Sequence, residues 1–349
     1  MYWRAMLSGK PYPITAMIIA GSNPLNKYTN TRMVYDAMKK LELIVTCDLF
    51  ETPTAAMSDY LFPMSDFLER PSFNVGFGGI QPFLWAGERA VKREHERRDD
   101  YDFWRGLAIR FGQEKYWPWK TLEEVYDYRV KPASGFKSFQ ELVDKEPFVF
   151  MESKLKGYAD LDSKTGHPRG YATPSGRVEL WSIILEELGY DRLPQFKEPF
   201  ISPVSRPMLA KEYPMTLISI ARHMPFHHSE FYPVPSLRGM HPDPLVEIHP
   251  VTARMMSPPI NNGDWVWIET PRGKIKQRAT LSWGIDPQWV CVEHCWWFPE
   301  QSGADPTLHG VWQSNVNVLT EDDPDLCDPV FGTYPIATSL CRIRKCEEQ

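Results

Sequence analysis

The sequence has no run of about 18 apolar residues, and this excludes a membrane-spanning helix. It has no GxGxxG after its first strand-like segment, so an ordinary NAD-binding oxidoreductase is disfavoured. Its six cysteines are Cys47, Cys291, Cys295, Cys327, Cys341 and Cys346. They form no CxxC pair, and no four stand at zinc or iron–sulfur spacing. They read as scattered buried or free thiols in a reducing compartment. Basic excess is lacking too: the net charge of −6 argues against a nucleic-acid binder, which would carry a basic stripe. The N-terminal MYWRAMLSGKPYPIT has no long apolar stretch of the kind a signal peptide needs. It does not read as a domain start either, because a strand follows almost at once.

What is present is a chain of 349 residues, enough for two domains with ample cores. Hydrophobic residues at 42% and charged residues at 24% place it among soluble globular proteins. The 32 prolines and 13 tryptophans suggest long ordered connections packed by large aromatics. No internal repeat is visible.

The order of elements predicts an α/β parallel-sheet domain followed by an all-β barrel domain. TAMIIAG reads as a short buried strand, SNPLNKYTN as a loop, and NTRMVYDAMKKLE as a helix capped by Thr29 or Asn30. LELIVTCDLF reads as a second buried strand, and ETPTAAMSDYLFP as a short helix and a third strand. Strand, loop, helix, strand is half of a doubly wound sheet. DDYDFWRGLAIRFG is expected to be an amphipathic helix with Phe103, Leu107 and Phe111 on one face. This α/β part is assigned to residues 1–130, with 131–212 as a connector completing it. From 213 to 349 the pattern is β, with a PRG hairpin signal between WVWIET and KIKQRATLS and a short helix at HPVTARMM.

Four segments, the first taken together with Asp48 at the end of the next strand, are candidates for chemistry. Gly21, Ser22 and Asn23 leave the carboxyl end of a strand and enter a helix, where backbone N–H groups and the helix dipole can cradle phosphate. Asp48 ends the next strand, where a carboxylate can accept hydrogen bonds from a guanine edge or ribose hydroxyls. In Arg222-His223-Met224-Pro225-Phe226-His227-His228-Ser229, arginine and histidine beside a hydroxyl suit pyrophosphate and pterin recognition. Metal binding by the adjacent His227 and His228 is disfavoured, since neighbours on an extended chain point to opposite faces. His294-Cys295-Trp296-Trp297 is either core or the floor for a flat ring. The alternating Asn315 and Asn317 can set amides on one face. Each segment alone is as readily a turn as a site.

Taken together, IIAGSNPLNKYTNT, LELIVTCDLFETPTAAMSDYLFP, YATPSGRVEL, the 222–229 segment, LVEIHPVTARMM, NNGDWVWIETPRGKIKQRA, EHCWWFPE, SNVNVLT and LCRIRK resemble, in order, the C-terminal half of molybdopterin oxidoreductases of the DMSO reductase family. HHSE and HxWWFPE are most similar to the branch holding acetylene hydratase and the catechol dehydroxylases. The resemblance covers nearly the whole chain. It implies a molybdenum or tungsten ion held by two molybdopterin guanine dinucleotides (bis-MGD), an α/β domain binding one guanosine end, and a double-psi β-barrel covering both pterins. It implies that Asn23, Cys47 and Asp48 line the guanosine pocket and that Arg70 and Asp102 also reach that nucleotide. Arg222, His228 and Ser229 are expected to meet phosphate or pterin, and Trp296 and Asn317 the pterin region, with His294 and Asn315 beside them.

The departures matter equally. Cys47 stands where many relatives carry an amide or serine, and Cys295 replaces a usual glycine before the Trp pair. Ile336-Ala337-Thr338-Ser339 lacks a basic residue that often precedes the final strand. The resemblance puts the iron–sulfur cysteines, the metal-ligating residue and most of the second domain outside this chain. No catalytic or metal-ligating residue is therefore assigned. The expected partner is the N-terminal half of the same subunit, with an iron–sulfur electron-transfer subunit as a further candidate. The expected location is cytoplasmic as encoded, unless an export signal lies in that N-terminal part. The competing reading is a non-catalytic dinucleotide-binding or cofactor-insertion protein.

Overall fold

The computed structural model describes residues 2–76, 83–151, 155–328, 330–335 and 338–347, without the side chains of 132–134. Ile336 and Ala337 lie outside the described residues. The chain divides into two compact units, one of Met1–Met64, Glu96–Asp100 and Glu198–Gln349, the other of Ser65–His95 and Tyr101–Lys197.

The first unit opens with β1 (Ala16–Ala20), β2 (Leu43–Asp48) and β3 (Tyr60–Pro63), a parallel sheet in the order β1-β2-β3. Asn30 caps the intervening helix Thr31–Met38 by accepting from the Met33 amide. Its apolar side packs Val34, Ala37 and Met38 onto Ile19 and Ile44, with Trp3 and Met6 of the N-terminal helix. Side chains alternate across a sheet, so Ile18, Val45 and Tyr60, paired in register, share the opposite face. On that face Ile18, Leu43, Tyr60 and Phe62 are exposed. The first strand was expected to be buried; only Ile19 of β1 is, whereas the central strand β2 is buried on both faces from Ile44 to Cys47.

The second unit holds β4 (Ser72–Val75), β5 (Phe83–Gly87) and β6 (Phe148–Phe150), an antiparallel sheet. Helices Leu122–Ser134 and Phe139–Lys145, capped by Thr121 and Ser138, enclose a core of Phe73, Leu84, Tyr126, Val130, Phe139 and Leu142 with it. The sequence reading carried the α/β part to residue 130, whereas the parallel sheet ends at Pro63 and an antiparallel one follows. The helix Asp100–Arg110 forms as expected, but it is not the amphipathic element foreseen: Ala108 is its buried residue, and Phe111 lies beyond its end, exposed.

The first unit continues with β7 (Met215–Ala221), β8 (Leu245–Ile248), β9 (Trp265–Thr270), β10 (Gly273–Leu281), β11 (Trp289–Glu293) and β12 (Ser339–Lys345). They close into a barrel in the order β10-β8-β11-β7-β12-β9. The expected hairpin is present, with Thr270 opposite Gly273. Strict alternation fills the interior: Met215 and Leu217 from β7, Val246 and Ile248 from β8, Val266 and Ile268 from β9, and Val290 and Val292 from β11 are all buried. Each such side chain contributes roughly 1.5–3 kcal/mol relative to exposure.

Candidate functional site

The loop after β1 begins at Gly21, whose amide extends the parallel ladder by donating to the Cys47 carbonyl at 3.0 Å. Gly21 has φ +55, and a Cβ there would meet nothing within 4 Å, so the backbone is open to close approach. Asn23 precedes Pro24, and its carbonyl accepts from the amides of Asn26 and Lys27, starting a one-turn helix. The Thr54 hydroxyl pins the loop, accepting from the Leu25 amide at 3.1 Å and donating to Asn23 Oδ1 at 2.6 Å. Asn23 is buried, yet among the described residues its Nδ2 has no hydrogen-bond partner. A buried amide donor without a partner costs roughly 1–3 kcal/mol, so it marks a place suited to an acceptor.

Asp48 ends the strand beside Gly21. Burial pushes its carboxyl up to about 6, against hydrogen bonds from the Leu49 and Phe50 amides that lower it. Cys47 belongs to the other face of the sheet by strand alternation and is buried, its thiol pushed up by desolvation to about 11. The two adjacent residues therefore do not present their side chains to one pocket.

On the barrel, register shifts between Cys291 and Glu293 at the end of β11. Such a bulge re-aims the residues that follow. Gln277, fully buried, holds the bulge by accepting from the Glu293 amide at 3.1 Å and donating to the Glu293 and Ser314 carbonyls. The Glu293 carboxylate is buried with His241 at 2.9 Å and accepts from the Leu245 amide. His294 Nδ1 lies 2.7 Å from the Ala221 carbonyl, and its Nε2 2.8 Å from His228 Nδ1. Desolvation lowers the pKa of both imidazoles, which favours their neutral form. Arg222 is exposed, with its guanidinium 3.4 Å from His227 Nδ1, and the Ser229 carbonyl accepts from the Trp297 indole at 2.9 Å.

These segments, separate in sequence, converge on Asn26, which sequence reasoning did not single out. Asn26 is fully buried, and its Nδ2 donates to the Cys295 carbonyl at 3.2 Å and the Trp296 carbonyl at 3.0 Å. Its own carbonyl accepts from Asn317 Nδ2 at 2.6 Å. Asn315 Nδ2 donates to the Leu25 carbonyl and the Thr31 hydroxyl. The phosphate-type loop, the HCWW segment and the SNVN segment are thus one hydrogen-bonded body. Asn315 and Asn317 are engaged in clamping the loop. Trp296 is fully buried among Phe226, Tyr232, Trp297 and Phe298, under the Arg238 guanidinium at 4.7 Å. The one available signal for Asn26 was an amide in a short loop beside a proline, which is common in turns. Thr54 gave none. Arg70 and Asp102 belong to the second unit, where Asp102 pairs with Arg93 at 3.3 Å.

A carboxylate at a strand end and an open glycine loop hydrogen-bonded to the barrel rim form the kind of crevice in which open α/β sheets bind nucleotides. Comparison with known proteins agrees. Residues 4–110 match the molybdopterin oxidoreductase family, and residues 215–337 match the molydopterin dinucleotide binding domain. The chain thus carries a molybdopterin oxidoreductase domain and a molydopterin dinucleotide binding domain. It is 36% identical to acetylene hydratase of Syntrophotalea acetylenica over 94% of this chain and 43% of that protein. It is 28% identical to dopamine dehydroxylase of Eggerthella lenta (98% and 39%) and 29% identical to the molybdopterin-containing subunit of thiosulfate reductase of Salmonella typhimurium (94% and 43%). The solved acetylene hydratase from Pelobacter acetylenicus superimposes with a TM-score of 0.88 at 35% identity, over 99% of this chain and 46% of that one. The chain spans less than half the length of the curated relatives named here. Among the described residues, no helix is long and apolar enough to cross a membrane.

Proposed function

We propose that this chain is the C-terminal portion of the catalytic subunit of a molybdenum or tungsten bis-MGD oxidoreductase. In this reading it binds the guanosine end of one pterin dinucleotide in the parallel-sheet part and covers the pterins with a barrel of the double-psi type. The observation that carries the reading is that Gly21 and Asp48 stand at the carboxyl ends of neighbouring parallel strands, next to a loop whose Asn23 amide nitrogen has no partner among the described residues. Ligands of open α/β sheets bind at this position.

The residues present fit the group. Asp48 would accept the two N–H donors of a guanine edge, which hold the carboxylate ionised in spite of burial. The Asn23 amide would donate to an acceptor on the nucleotide, and the open backbone at Gly21 would admit a phosphate without steric cost. Arg222, with its exposed guanidinium, would neutralise phosphate charge. The bound cofactor supplies the redox chemistry; this chain supplies position, charge balance and cover. The exposed face of the parallel sheet supports the N-terminal half of the same subunit as the partner, and an iron–sulfur electron-transfer subunit follows from the same family reading.

The test is guanine nucleotide binding by the full chain, followed by calorimetry with GDP and with ADP. Asp48→Asn replaces one acceptor by a donor and is expected to weaken GDP at least roughly tenfold, with ADP little changed. Equal affinities for both nucleotides in the unaltered chain would remove the guanosine assignment.

A further inference from the structure

A cluster on the barrel rim has a composition that nucleotide binding does not require. One donor atom each from His228, His294 and Cys295 lies within 4.8 Å of the other two. We propose that these three side chains form a binding site for a borderline-soft divalent cation of the zinc class, with the fourth position open to solvent.

Orientation is the first support. A hydrogen bond between His294 Nδ1 and the Ala221 carbonyl, at 2.7 Å, sets the proton on that nitrogen and leaves the Nε2 lone pair facing the cluster. Histidines that ligate metals are commonly held in this way by a carbonyl behind the ring. Strain is the second, independent support. His228 and Cys295 both sit in the left-handed region, at φ 54 and φ 60. Residues with a Cβ persist there where the surrounding structure fixes them, often at functional sites. Such a backbone favours glycine, and Cys295 occupies it with a side chain. This chain therefore adds a buried thiol at a position that disfavours any side chain, and places it between two imidazoles.

The dimensions permit the ion. Tetrahedral zinc with Zn–N bonds of 2.0–2.1 Å separates two imidazole nitrogens by roughly 3.3 Å. His228 Nδ1 and His294 Nε2 are 2.8 Å apart, so about half an ångström of opening is required, and His228 is exposed and can supply it. Among the described residues the Cys295 thiol donates to the Asn26 carbonyl at 3.4 Å, a weak hydrogen bond that ligation would replace. Binding forms one metal–sulfur bond and two metal–nitrogen bonds, and the thiol proton leaves to solvent. Arg222 and Lys27 act on the cluster with positive charge. They oppose a bare hard cation and leave the advantage to a metal that bonds thiolate strongly.

The experiment is a titration of the full chain with Co2+ as a spectroscopic stand-in, followed by displacement with Zn2+, and a parallel titration with Mg2+. One equivalent of Co2+ is expected to bring a thiolate-to-cobalt charge-transfer band, lost on adding Zn2+ and not produced by Mg2+. Cys295→Gly restores a residue suited to the backbone, so the variant is expected to fold with an unchanged or higher thermal midpoint. It should lose the band and bind Co2+ at least roughly tenfold more weakly, as should His294→Gln. Absence of the band in the folded unaltered chain, or equal Co2+ affinity in Cys295→Gly, overturns the site. Neither outcome touches the guanosine reading, since GDP binding through Asp48 is expected to be the same in Cys295→Gly.

Discussion

The barrel and the parallel sheet lie in one compact unit and are built from the same apolar residues, yet they finish differently. In the barrel every strand has two partners, and Leu217, Val246, Ile248, Val266, Ile268 and Val290 are wholly enclosed. In the sheet β2 alone has two partners, and one face leaves Ile18, Leu43, Tyr60 and Phe62 exposed. A closed sheet removes its own edges, whereas a parallel sheet normally has both faces covered. The barrel closes on itself, and the parallel sheet keeps these apolar side chains exposed among the described residues. Asn26 joins the two, its side-chain amide donating to the Cys295 and Trp296 carbonyls.

The largest expected effect tests whether that incompleteness is functional. The chain alone is expected to show no molybdenum-dependent turnover, and co-expression with the N-terminal portion of a matching subunit is expected to restore it. Metal analysis and activity on both preparations decide the matter. Full turnover by the chain alone would contradict the half-subunit reading, because metal chemistry needs a full set of ligands tuned by their surroundings.

Stability sharpens the same contrast. Ile268→Ala opens a cavity in the closed barrel and is expected to cost about 3 kcal/mol in denaturant unfolding. Ile18→Ala on the open face of the sheet is expected to cost about 1 kcal/mol or less in the same assay. Equal losses would show that the open face is in fact covered in solution.

Next in size is the link between the regions. Asn26→Ala leaves the Cys295 and Trp296 carbonyls without their donor in a buried place, for a loss of about 2 kcal/mol. The loop and the barrel rim should then loosen together, visible as faster amide exchange at both 21–27 and 294–297. Exchange confined to the loop would show that the link is passive.

The smallest effect concerns Asp48. Its carboxyl titrates at about 6 in the free protein, and a guanine edge needs the ionised form. GDP affinity should therefore be full near pH 7 and fall by roughly tenfold at pH 5, as the carboxylate takes up a proton. The raised value also has a sign for folding: ionising this group opposes the folded state as pH rises from the ordinary carboxylate range toward 6. In Asp48→Asn the pH dependence of GDP affinity should flatten.

Much of this was legible in the residues. The hairpin at Pro271-Arg272, the Asn30 cap and the pairing of Gly21 with the end of β2 follow from turn chemistry, capping and a strand–loop–helix–strand order. These are local rules, and a few neighbouring residues determine them. The order of motifs likewise fixed the family and the expectation of an α/β part before a β part.

What the tertiary structure decided is how polar side chains are shared between distant segments. Asn315 and Asn317 read as a face for a ligand and turn out to clamp a loop some 290 residues away. Trp296 read as readily as a ring floor as core, and it is fully buried in an aromatic cluster. Asn26 and Thr54 looked like ordinary turn residues and prove to hold the loop. An amide has the same donors and acceptors whether it meets a ligand or a carbonyl of its own chain. Local sequence states that such a group must be satisfied when buried, and only the packing of the whole unit determines by what.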